Sequence, residues 1–152
     1  KLRILEKLNK LQITKYIPQS IYKEVVEKGY ERSEPEADYV KGLIEKSYFK
    51  IKNPKELIEE VYPLTKADRE VISLAKEIKA IVIIDEEKAR QIAEKYRLEY
   101  HGTLYILLLL ASKKIITKRQ TIAYIDKIIE LGFYLSTQDY KEVLQVLENM
   151  KD

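Results

Sequence analysis

One stretch constrains the fold more than any other: a helix that runs directly into a short, wholly apolar strand. Ala67, Val71, Leu74, Ala75 and Ile78 recur at helical spacing, and Ile81-Val82-Ile83-Ile84 follows as a β-branched run. A new helical pattern, carrying Ala89, Ile92 and Ala93, begins after Asp85. A short apolar strand with a helix on each side belongs in a parallel sheet covered on both faces. The expected class is therefore α/β, a three-layer α/β/α sandwich around a short parallel sheet.

The rest of the chain fits that alternation. Leu2, Leu5, Leu8 and Leu11 suit a short amphipathic helix, and a brief strand is expected over 13–17. Pro18 opens a second helix that Gly29 is placed to stop. Residues 30–35 read as a charged loop, 36–46 as a helix and 48–51 as a strand, with a helical turn or two from Pro54. A further extended piece surrounds 99–101, Leu104 to Ala111 forms a helix, and 118–150 reads as wholly helical. With 152 residues, the chain is expected to be a single domain over 1–152.

Composition narrows the chemistry. No cysteine is present, which removes disulfides, thiol nucleophiles and Cys-ligated zinc, and one histidine cannot build a His-rich metal site. Any metal would have to be held by oxygen. The charges, 28 basic against 25 acidic, leave a formal +3 and do not announce a nucleic-acid binder. The longest apolar run, Leu104 to Ala111, is roughly half the length of a membrane span, so a cytoplasmic protein without a membrane partner is expected. The Lys/Glu-rich balance with 4 glycines is of the kind reported for thermophile proteins.

In a parallel sheet, ligands bind at the edge where the strands end. Asp85 lies there, immediately after Ile84. Asp68 starts the preceding helix, which covers ~18 Å at ~1.5 Å per residue. The strand then returns ~16 Å at ~3.3 Å per residue, bringing the two carboxylates to one edge. Glu24, in the first two turns of the helix after the strand at 13–17, joins them, and Glu86 adjoins Asp85. Converging carboxylates repel unless cations lie between them, the signature of a Mg²⁺ or Mn²⁺ site suited to phosphodiester hydrolysis. Each also has a plainer reading. Thr65-x-x-Asp68 resembles a capping box, Asp85 suits an N-cap, and Glu24 suits a solvated helix face. His101 favours a structural or surface role over that of a ligand, and Thr103 can either hold a water or phosphate or start a helix. Lys113, Lys114, Lys118 and Arg119 form a basic cluster that suits RNA contact or solvated helix ends.

These pieces together resemble a known family. Ile17-Pro18-Gln19-Ser20-Ile21-Tyr22-Lys23-Glu24-Val25-Val26, then Leu64-Thr65-Lys66-Ala67-Asp68 leading to Leu74-Ala75, then Ile83-Ile84-Asp85-Glu86-Glu87-Lys88-Ala89-Arg90 look like the PIN-domain superfamily, and its uncharacterised prokaryotic branch related to VapC-type toxins. Gly102-Thr103-Leu104, Ala111-Ser112-Lys113 and Gly132-Phe133-Tyr134-Leu135-Ser136 continue the likeness to about Met150. The resemblance implies an α/β/α ribonuclease using Mg²⁺ or Mn²⁺. It implies Glu24, Asp68 and Asp85 as catalytic metal ligands, with Glu86 auxiliary. Its partners would be RNA, a small antitoxin protein and a second copy in a homodimer. One feature departs from the pattern: PIN domains open on a strand ending in the first acidic ligand, and this chain starts beyond it. The expectation is a missing N-terminal segment of about a dozen residues, since losing a central strand would expose sheet edges. A catalytically silent PIN-like scaffold, binding protein or RNA, is the alternative.

Overall fold

The structure is a computed structural model that describes residues 4–59 and 63–151. It divides into two compact units: Ile13–Gly102, and the described part of Leu2–Gln12 together with Thr103–Asp152. All four strands found among the described residues lie in the first unit.

That unit begins with β1 (Tyr16–Ile17), which pairs in parallel with β2 (Lys50–Ile51), Tyr16 opposite Lys50 and Ile17 opposite Ile51. Pro18 ends β1 and starts a continuous helical stretch made of α1 (Gln19–Tyr22), a π-helical turn (Lys23–Glu27) and α2 (Lys28–Glu31). The Asn53 side chain accepts from the Gln19 N–H at 2.8 Å, so the segment after β2 caps α1. Residues 52–59 hold no helix, against the turn expected from Pro54. Gly29 does not stop the helix, which runs on to Glu31. Its role is close approach: a Cβ there would come within 3.0 Å of the Ala37 Cβ on α3 (Glu36–Glu45).

The second half of the unit follows the expected pattern. α4 (Lys66–Ile78) leads to β3 (Val82–Ile83), α5 (Glu87–Lys95) and β4 (Tyr100–His101), with β3 and β4 parallel. Ile72 and Ala75 of α4, Val82 and Ile84, and Ala89 and Ile92 of α5 share one core with Ile58. Ile81 and Ile83 are 48% and 44% exposed, so the apolar run is covered on one face only in the described structure. The all-apolar sequence hid this alternation, because both faces carry the same residue type. The four strands form two two-stranded sheets, short and parallel as the α/β expectation required.

The second unit is helical. Leu5–Leu11 is a 3₁₀ helix, not an α-helix. The leucine spacing of three is compatible with it, since residues three apart share a face in a 3₁₀ helix as they do in an α-helix. Leu8 is buried and the turn packs on α6 (Thr103–Ser112), whose Leu107, Leu110 and Ala111 are also buried. α6 packs in turn on α7 (Lys118–Glu130) and α8 (Thr137–Asn149). Thr117 and Gln120 close a reciprocal capping box at the start of α7, and Ser136 caps α8. Among the described residues no helix is long and apolar enough to cross a membrane.

Candidate active site

The carboxyl ends of β3 and β4 form the edge that sequence reasoning singled out. The Ile84 N–H donates to the His101 carbonyl at 2.8 Å, so Asp85 and Gly102 leave the sheet side by side. The Asp85 side chain is 42% exposed at this edge. Arg90, one turn into α5, reaches back to it. Its Nε donates to the Ile84 carbonyl at 2.8 Å and its Nη2 lies 3.5 Å from Asp85 Oδ1. Gly102 is buried against this pair: a Cβ on it would land on both the Arg90 guanidinium and Asp85 Oδ1. Only glycine leaves room for the two charges to meet beneath the β4 exit.

The neighbouring acids are engaged in helix starts. Glu86, not Asp85, caps α5, accepting from the Ala89 N–H at 2.7 Å. Asp68 receives the Thr65 hydroxyl at 2.6 Å while its own N–H donates to Thr65 Oγ1 at 3.1 Å. Ser136 and Asp139 at the start of α8 repeat that arrangement at 2.6 and 3.0 Å. The Asp68 geometry is therefore that of a cap, and by itself marks no ligand. Glu24 is exposed within the π-helical turn, a feature common at functional sites. His101 is bonded to Glu99 at 2.9 Å.

In the second unit, Thr103 is the first residue of α6 and is half-buried. Lys113, Lys114, Lys118 and Arg119 cluster along the α6–α7 turn, where Lys113, Lys114 and Arg119 are exposed. An open cavity of about 340 Å³ lies between residues 55–58 and α4. Two bonds cross it, from the Lys55 N–H to Glu77 and from the Ile58 N–H to Ser73 Oγ, and tie residues 55–58 to α4.

Two features escaped sequence reasoning. Arg90 is one, because its partners, the Ile84 carbonyl and Asp85, both precede α5 and no helical spacing links them to it. Glu70, on α4, is 13% exposed; its Oε2 is shielded from solvent without a hydrogen-bond partner, as is Ser20 Oγ on α1, the helix packed on α4. No sequence pattern announces either atom.

The fit to a Mg²⁺ or Mn²⁺ site follows from this donor set. Among the described residues no group of three or more His, Asp or Glu side chains is placed to hold a metal ion. Asp68 is held by Thr65, Glu86 by the α5 backbone, and Asp85 has a guanidinium beside it. As arranged, these acids do not make a metal shell.

Comparison with known proteins supplies the family. No curated protein and no solved structure gives a significant match. A family model described as DUF3368, a PIN domain, matches residues 1–149. With that match spanning almost the whole chain, and parallel strand pairs flanked by helices, the protein belongs to the PIN-domain family and carries its nuclease-type fold.

Proposed function

We propose that this PIN domain is a Mg²⁺/Mn²⁺-dependent ribonuclease whose working edge is the exit of β3 and β4. The observation that carries it is Asp85: a solvent-accessible carboxylate at the carboxyl end of a parallel strand, in a chain that matches a PIN family over 1–149. Glu24, Asp68 and Glu86 are the further acids in this reading, and the basic cluster Lys113, Lys114, Lys118 and Arg119 contacts the RNA backbone. Metal dependence enters from the family, whose members generally need a divalent ion. From the chain's own residues come a negative edge at Asp85 and a positive surface for phosphates on the α6–α7 turn. A toxin role in the cytoplasm, checked by a small antitoxin protein, completes the proposal.

The purified protein is expected to cleave single-stranded RNA with added Mn²⁺. Asp85→Asn should lower cleavage roughly a hundredfold, the scale of losing a charge-stabilising group at a reacting centre. Its melting temperature should stay close to the parent's. Equal cleavage by the variant sinks the assignment. A catalytically silent scaffold is favoured by one observation, the absence of an acid group fit for metal among the described residues. It requires neither cleavage nor Mn²⁺-dependent stabilisation, whereas an occupied site raises the melting temperature by mass action.

A further inference from the structure

Two segments of the first unit, 13–23 and 46–55, carry lysines 15, 23, 46, 50, 52 and 55 and no acidic residue, in a chain with 25 acids among 152 residues. The fold sets the two segments side by side. β1 runs parallel to β2 with Tyr16 opposite Lys50, and the ladder extends to Lys52, whose N–H donates to the Ile17 carbonyl at 3.0 Å. Residues opposite one another across a ladder share a face, as do residues two apart along a strand, so Tyr16, Lys50 and Lys52 project together. The position of Lys52 Nζ, 5.7 Å from the centre of the Tyr16 ring, agrees with that shared face. All three residues are exposed, and among the described residues no carboxylate pairs with either lysine.

Lysines alone would have a plain explanation, since they guard sheet edges against pairing with other chains. That accounts for Lys50 and Lys52 but not for an aromatic ring left open between them. A ring with ammonium groups beside it offers the two contacts that a single-stranded nucleic acid takes, a base stacked on the ring and phosphates on the cations. Lys50 and Lys52 are rooted ~7 Å apart at ~3.3 Å per residue, the scale of successive phosphates along an extended strand. A duplex keeps its base faces stacked on one another, and an acidic protein segment has none to offer. We infer that the β1–β2 face is a binding site for single-stranded RNA, with Tyr16 as its stacking platform and Lys50 and Lys52 as its phosphate contacts. This rests on the RNA-directed reading given above and adds a place on the first unit where the strand is held. It requires neither a metal ion nor cleavage.

The test is binding of a fluorescein-labelled oligouridylate, followed by anisotropy across a salt series in EDTA, so that cleavage does not enter. Lys50→Gln/Lys52→Gln should flatten the slope of log affinity against log salt by about 1.4, at about 0.7 for each phosphate contact on a single strand. Tyr16→Leu should weaken binding about tenfold at unchanged slope, the scale of one lost stacking contact. Tyr16→Phe keeps the π-face and should bind as the parent does. If Tyr16→Leu does not fold, Tyr16→Val, which suits a strand, takes its place. Unchanged binding in the lysine and tyrosine variants overturns this site and leaves the RNA-directed reading to the α6–α7 turn. Weakening by the lysine variant alone also overturns it, because the face then reads charge only; polyglutamate bound as tightly as RNA would make the partner an acidic protein. No binding of RNA by the parent overturns both the site and the reading it rests on.

Discussion

Single hydrogen bonds decide how the acidic residues of this chain divide their roles, and Tyr30 shows how far one can reach. Its hydroxyl donates to Asp38 Oδ1 at 2.7 Å, and this bond, with lesser help from burial and the Asp38 charge, pushes the phenol up to about 12. A phenol raised in the folded state favours folding below the ordinary tyrosine value, near 10, and loses that contribution as pH rises through about 12. Of the 12 tyrosines, Tyr140 is also raised, by its bond to Asp126. In a ring-labelled NMR titration above pH 9, Tyr30 should therefore lose its proton late, and Asp38→Ala should return it toward the ordinary range. If its titration is the same in both proteins, the bond does not have this effect. The same logic explains what sequence could not say about Asp68. A Thr-x-x-Asp pattern is written identically for a cap and for a ligand, and the 2.6 Å contact to Thr65 shows that the cap is formed.

Periodicity made some elements legible and hid others. α4, β3 and α5 fall close to where their patterns put them, because each has a distinct apolar spacing, although the cap expected at Asp85 is supplied one residue later by Glu86. The leucine repeat at 5, 8 and 11 was legible as a helix but not as a 3₁₀ helix, since a spacing of three is shared by both. Gly29 misled for a different reason: glycine serves both as a helix stop and as a place where another helix comes close. Ala37, fully buried on α3, is what it accommodates. Gly29→Ala gains roughly 1 kcal/mol of helix propensity. It also forces the two Cβ atoms to 3.0 Å, a crowding that costs roughly 1–3 kcal/mol where neither side is flexible. Ala37 has no rotamer with which to give way, so the net outcome should be destabilisation, with a lower urea midpoint at unchanged slope. A stabilised variant would mean that α3 moves freely, contrary to its buried Ala37 and Leu43.

For the molecule as a whole, net charge is the least informative quantity and charge placement the most. A formal +3 spread evenly would bind RNA feebly, yet the surface carries Asp85 on the β3–β4 edge and four basic residues on the α6–α7 turn. The Arg90–Asp85 pairing was illegible for the same reason: it depends on which side chain faces which carbonyl, and composition sums over such choices. If the α6–α7 turn contacts RNA phosphates, its contribution is counter-ion release, and that has a defined salt signature. Each phosphate contact on a single strand adds about 0.7 to the slope of log affinity against log salt. Lys113 and Lys114 are both exposed, so replacing them with glutamine leaves the core untouched. Lys114 already adopts a left-handed φ of 56°, a strain that glutamine shares. Lys113→Gln/Lys114→Gln should then bind RNA more weakly at low salt and flatten the slope by about 1.4, while cleavage at saturating RNA is retained. Affinity measured by fluorescence anisotropy across a salt series gives the slope directly. Parallel lines for the two proteins would remove these lysines from the RNA surface. The basic cluster would then be a solvated pair of helix ends, and phosphate binding would have to be sought on the unit that carries Asp85.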